Sequence, residues 1–220
     1  RGAVEHWRAA VALKEDAETL AALSEAARAA GDAKAELEAI EKLSALDPGA
    51  AEWRRVAEIR LAAEDWDGAE KALRRALARD ARDAEANAGL GRVQLRRGAS
   101  QEAVEALRAA GDAGKADLAA LERRLNLERL SRPDLKALQR AVQALVDRTY
   151  RARLAAGPAR AGALRLRVTV GPSGAASLVE VLEDSIEDPD VRACAYWNLR
   201  DATFPPNKPG RFSFTFAFGR

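Results

Sequence analysis

The feature that most constrains this chain is a 34-residue repeat in its first half. Val56, Ala57, Leu61, Ala69, Leu73, Arg74 and Ala76 recur as Leu90, Gly91, Leu95, Ala103, Leu107, Arg108 and Ala110. A unit of that length with helical spacing reads as two helices, about 51–63 with 67–80 and then 84–97 with 100–110. Small residues at Ala57/Gly91 and Ala69/Ala103 let paired helices approach closely, and Leu73 and Leu107 fill the space beside them. A single pair would expose an apolar face, which stacking against the next pair buries. Ala supplies 52 of the 220 residues and is the best helix former, which supports the same reading. Gly31-Asp32 and Asp47-Pro48 outline an earlier copy in poor register, because Glu36 falls where a small residue belongs.

Past the repeats, Gly111-Asp112-Ala113-Gly114 breaks the array and a helix over 115–130 is expected. Ser131-Arg132-Pro133-Asp134 reads as the start of another, with Ser131 as cap and Pro133 in the first turn. It runs to about Ala156 with an apolar stripe of Leu135, Leu138, Val142, Leu145, Val146 and Tyr150. Composition then shifts. Residues 1–149 hold three aromatic residues and 150–220 hold eight, and six of the eight prolines follow residue 150. Net charge goes from −3 over 1–130 to +5 over 131–220. A boundary at Gly157-Pro158 fits these shifts. Beyond it Leu164, Leu166, Val168 and Val170 alternate with Arg165, Arg167 and Thr169, which predicts a strand. Gly171-Pro172-Ser173-Gly174 reads as a turn and 178–182 as the returning strand. Asp188-Pro189 caps a helix running to about Arg200, and Phe204-Pro205-Pro206 ends it. In the last strand Phe212, Phe214, Phe216 and Phe218 must share one face. The expected fold class is α+β: an all-α helical-repeat solenoid over 1–114, a helical connector over 115–157, and a small antiparallel sheet with a covering helix over 158–220.

The repeats resemble the tetratricopeptide (TPR) family, over about residues 17–112. The small residues at Ala57/Gly91 and Ala69/Ala103 and the large Leu73/Leu107 carry the resemblance, while Arg60 and Gln94 replace the usual aromatic and Ala81 the closing Pro. The second half resembles the C-terminal domain of the TonB energy-transducer family, and more closely its myxobacterial AgmX/PglI variant, over about 136–219. The carrying residues are Val168 to Gly174, Val179-Glu180-Val181, Val191-Arg192-Ala193-Cys194, Phe204-Pro205 and the final Phe strand. That variant tends to carry a Cys-Tyr pair where this chain has Thr149-Tyr150, so the corresponding disulfide from Cys194 is excluded.

The resemblances imply a non-enzymatic interaction scaffold of a bacterial cell-envelope machine, periplasmic and tied to gliding motility or TonB-like energy coupling. The alternative is a cytoplasmic TPR adaptor whose terminal domain only caps the solenoid. The TPR motif places Arg54, Glu58, Arg92 and Arg96 in a partner groove. The TonB-like domain implies a sheet edge at Arg211, Ser213, Thr215 and Ala217 that takes an extended partner segment or, as a homodimer, a second copy. Phe212 to Phe218 contains no charge, Pro or Gly, the devices that usually blunt such an edge.

Other features bound the function. One Cys and one His make neither a disulfide framework nor a structural zinc site, and no cofactor is expected. His6, beside the chain start, reads as an ordinary terminal residue, and Cys194, mid-helix on the apolar side, as a small hydrophobe. The run Arg148, Arg151, Arg153, Arg160, Arg165 and Arg167 meets no acid from residue 148 to 179. It reads as a solvated basic patch or a site for an acidic protein, and near-neutral net charge argues against nucleic acid. Glu183, Asp184, Glu187, Asp188 and Asp190 form an acidic loop without EF-hand spacing. No apolar run is long enough to span a membrane. The chain opens Arg1-Gly2 without Met, as a fragment or mature product does.

Overall fold

A computed structural model describes residues 2–46, 49–128, 130, 134–157, 160–206 and 208–219. The expected signals at Asp47-Pro48, Ser131-Arg132-Pro133, Pro158 and Arg220 lie outside them. The chain forms two compact units, one of residues up to 93 with 106–115, the other of 94–105 with 116 onward.

The first unit is built of α1 (Gly2–Leu13), α2 (Ala17–Ala30), α3 (Ala33–Leu46), α4 (Ala50–Ala62), α5 (Trp66–Arg79) and most of α6 (Ala84–Arg96), with the end of α7 (Ser100–Ala109). Aspartates start four of these helices. Side chains of Asp16, Asp32, Asp65 and Asp83 accept from the amides of Thr19, Ala35, Gly68 and Ala86 at 2.9–3.0 Å, satisfying donors that a helix start leaves open. Gly31 ends α2 in the left-handed region at φ 69°. The core is small-residue packing: Ala57, Ala69, Ala72, Ala76 and Ala86 with Val56, Leu73 and Val93. A Cβ added to Gly91 would meet Leu107 Cδ2 and Cγ at 2.6 Å, so the small residue expected there is a steric requirement.

Glu36, the residue out of register, is buried. It accepts from Arg28 Nε at 3.0 Å and from Arg55 Nε and Nη2 at 2.6 and 3.0 Å. A carboxylate can occupy that buried position because two guanidinium groups meet it there.

The segment 111–114, expected as a break, is a 3₁₀ turn (Gly111–Gly114). Next, α8 (Lys115–Leu125) ends about five residues earlier than expected. Asn126 adopts φ 51°, and Leu127 N–H returns to the Glu122 carbonyl at 3.0 Å, closing the helix. The cap of α9 (Leu135–Ala155) is Asp134, which accepts from Lys136 N–H. This helix, expected as a connector, contributes Leu138, Val142, Leu145, Val146 and Tyr150 to the second unit's core.

In that unit β1 (Gly162–Val170), β2 (Ala176–Asp184) and β3 (Gly210–Phe218) form an antiparallel sheet in the order β2-β1-β3. The turn at 171–174 closes β1 onto β2, with Gly174 at φ 80° and any Cβ there 2.5 Å from the Phe204 carbonyl oxygen. Asp188 caps α10 (Pro189–Arg200), accepting from the amides of Asp190 and Val191. Val191, Cys194, Ala195 and Leu199 of α10 and the β3 side chains Phe214, Phe216 and Phe218 are buried in one core. Ser213, Thr215 and Ala217 of β3 point to the other, exposed face.

Candidate functional site: a charged groove and an open sheet edge

The first helices of successive pairs, α4 and α6, border a cavity of about 310 Å³ in the first unit. Its apolar walls are Ala57, Leu61, Leu73, Ala88, Gly89 and Ala113, and its charged lining is Arg54, Glu58, Glu85 and Arg92. Three of the four groove residues expected from sequence therefore meet in one place. Arg96, on the last turn of α6, is outside the lining.

The charges are partly committed. Arg54 pairs with Glu85, and its Nε lies 2.9 Å from Asp83 Oδ2. Asp83 also caps α6, so Arg54 ties one repeat to the start of the next. Glu58 accepts from Arg55 Nη1 at 2.8 Å. Asp83 and Glu85 were missed in the sequence; the signal was an Asp at a helix start facing an Arg one repeat earlier. Among the described residues the lining holds no Ser, Thr, Cys or His. Its chemistry is that of ion pairing, hydrogen bonding and apolar contact.

The sheet has two edges of different character. On β2 the register with β1 shifts twice, at Arg165/Leu166 and Thr169/Val170, and Glu180, Glu183 and Asp184 lie along the strand. By contrast β3 pairs with β1 without a shift from Gly162↔Phe218 to Val170↔Gly210. Among the described residues no backbone hydrogen bond reaches the outer side of β3. Arg211, Ser213, Thr215 and Ala217 are exposed along it, on one face as expected.

The basic run does not form one patch. Arg148 lies 3.7 Å from Glu128, and Arg153 pairs with Asp188 at 2.9 Å and with Asp190 at 3.6 Å. Arg160 meets Glu187 and Arg165 meets Glu183 across the hairpin. Arg151 is exposed on α9, and Arg167 is half-buried on β1. The acidic loop is the counter-charge: Asp188 and Asp190 are buried, and Asp190 also accepts from Arg124 at 3.1 Å and from Ser100 Oγ. Among the described residues no group of His, Cys, Asp and Glu could hold a metal ion. Cys194 is buried, and desolvation pushes its thiol up to about 11 against hydrogen bonds with Thr149 and Asn198. His6 is exposed and packs edge-on against Trp7.

No protein-family model matches the chain, and no curated protein is significantly similar to it. Solved structures are. A crystal structure of MamA protein superposes with a TM-score of 0.50 at 22% identity, over 56% of this chain and 71% of its own. A second MamA crystal structure gives 0.49 at 20% identity, over 55% of this chain and 75% of its own. A MamA RS-1 ArsTM double mutant gives 0.48 at 19%, over 55% and 72%. At 22% identity the likeness is one of fold alone. The first unit is a helical-repeat array.

Proposed function

We propose that this chain is a non-enzymatic protein-interaction adaptor that holds a segment of a partner protein in the groove between α4 and α6. The observation that carries the reading is the cavity itself, whose lining combines the apolar Ala57, Leu61, Leu73 and Ala88 with the charged Arg54, Glu58, Glu85 and Arg92. Small residues leave that space open, and the charged groups of its lining set which partner fits. Under this reading the chain acts in the cytoplasm. The test is a photo-crosslinking residue in place of Ala88, on the cavity wall, with the same residue in place of exposed Arg74 as control. A defined adduct from Ala88, lost in Arg92→Glu, supports the reading. Equal adducts from both positions, or an adduct indifferent to Arg92→Glu, overturn it.

A second reading, a scaffold of a bacterial envelope machine of the TonB or AgmX/PglI kind, has one observation in its favour. The order α9-β1-β2-α10-β3 with an open last edge is what that resemblance implies. Among the described residues no helix is long and apolar enough to cross a membrane. Fractionation of the source cells separates the readings: a periplasmic pool favours the second and a cytosolic pool the first.

A further inference from the structure

The outer face of α9 carries cations that the rest of the second unit leaves almost unneutralised. At 3.6 residues per turn, Lys136, Arg140, Arg148 and Arg151 fall within about a third of the helix circumference, and all four are exposed. The opposite side of α9 holds the buried Leu138, Val142, Leu145 and Thr149. Among the described residues the one ion pair made by these four cations is Arg148 with Glu128, at 3.7 Å. In the same unit Arg124, Arg153, Arg160, Arg165 and Arg192 pair at 2.9–3.4 Å. The arrangement works against the helix that carries it. Its first turn holds no acid, so Lys136 adds positive charge at the positive end of the dipole. Lys136 with Arg140 at i+4, and Arg148 with Arg151 at i+3, are like-charge neighbours, which weaken a helix. An anionic group seated on each pair reverses that penalty.

A depression of about 600 Å³ lies on the same helix, lined by Lys136, Gln139, Arg140, Gln143, Ala144 and Asp147. Gln143 Nε2 donates to Asp147 Oδ1 at 2.7 Å. Asp147 selects the kind of anion. It is the only acid of α9 and stands, along the helix, between the two cation pairs. A bilayer surface or a phosphodiester backbone brings negative charge along the whole face, in duplex DNA about one charge per 1.7 Å, and so meets Asp147. A polypeptide places its carboxylates one at a time. It can set acids over each cation pair and a neutral residue over Asp147. At 1.5 Å per residue the centres of the two pairs are about 17 Å apart.

We propose that the outer face of α9 docks an acidic segment of a partner protein, which seats one cluster of carboxylates on Lys136 and Arg140 and a second on Arg148 and Arg151. The proposal stands on α9 alone and does not depend on the groove of the first unit.

The probe is a dye-labelled synthetic helix of Ala and Gln that carries two Glu pairs on one face, each at i,i+4 spacing, with centres about 17 Å apart. A control peptide has the same composition with its Glu residues spread around the helix. Fluorescence anisotropy with the full chain should show the patterned peptide binding at least about tenfold tighter than the control, and more weakly as salt is raised. Lys136→Glu turns one like-charge pair into an opposite-charge pair, and Arg151→Gln removes the other, so the helix is kept. The variant with both changes should melt no lower than the parent and bind the patterned peptide at least about tenfold more weakly. Absence of binding overturns the proposal, as does equal affinity for the two peptides or an affinity that the double variant leaves unchanged. So does the opposite preference: phosphatidylserine vesicles or duplex DNA retained by the parent, lost by the double variant, and bound more tightly than the patterned peptide.

Discussion

Replacing Glu36 by Gln should cost the first unit about 2 kcal/mol at neutral pH, a value set between two limits. The carboxylate side chain is 4% exposed and accepts three hydrogen bonds, one from Arg28 and two from Arg55. Breaking a buried ion pair costs about 3–5 kcal/mol, and an exposed pair contributes about 0–1. The arginines place the value between these limits. Their side chains are 53% and 34% exposed, so both can rehydrate, and Arg55 keeps Glu58. Gln keeps the shape and one acceptor but turns an amide donor toward a guanidinium. For a chain of this size about 2 kcal/mol corresponds to roughly 4–8 °C in Tm. Burial alone would raise the Glu36 pKa; the hydrogen bonds from Arg55 and Arg28 outweigh it and hold it below the usual carboxylate value. Because the folded value is depressed, the stabilisation is full above the unfolded pKa and disappears as pH falls through the folded one. The difference between the parent and the Glu36→Gln variant should therefore shrink from neutrality toward pH values below the ordinary glutamate range. In a Trp197→Phe background, fluorescence reports Trp7, Trp53 and Trp66 of the first unit, and urea titrations at several pH values give the difference directly. A deficit under about 0.5 kcal/mol, the size of an ordinary surface change, would refute the reasoning, as would one that does not vary with pH.

Leu107→Glu should destabilise the array by about 3 kcal/mol or more, since Leu107 is fully buried and packs against Gly91; a melting point within a degree of the parent would show the repeat register to be wrong. Phe216→Ala, at 0% exposure, should cost about 3–5 kcal/mol and lower the unfolding midpoint of the second unit. Gly174→Ala should cost about 1–3 kcal/mol, because it combines a left-handed backbone with a clash at the Phe204 carbonyl; thermal unfolding measures it. Cys194, with its thiol held to about 11, should resist iodoacetamide at pH 8 in the native chain and react once unfolded, by mass spectrometry.

The helical array was legible because its period is carried by residues whose size the packing fixes. The position shared by Ala57 and Gly91 is held to small residues by the neighbouring helix, and Leu73 and Leu107 fill equivalent positions. The first pair of helices was harder to read for one reason, Glu36. Its compensation comes from Arg28, 8 residues before it, and Arg55, 19 residues after it, and no local pattern announces such partners. The end of α8 was missed because a single Asn in a left-handed conformation closes it, where a Gly or Pro would have been visible. Alternation made β1 and β3 plain, since one face of each is buried and a period of two follows directly.

Charge was the least legible property of the sites. Six arginines between 148 and 167 stand together in sequence, yet β2, the loop after it and the first turn of α10 return Glu183, Glu187, Asp188 and Asp190 to three of them, Arg165, Arg160 and Arg153. A hairpin cancels what a linear count adds, so a basic run is evidence for a polyanion site only when no acidic segment folds back on it. The edges follow the same logic in reverse. The absence of charge along 212–218 was visible from the start, but its meaning depended on the other edge. The register shifts on β2, invisible in composition, show how the edges differ: among the described residues β2 is interrupted twice, while β3 pairs with β1 in one unbroken register.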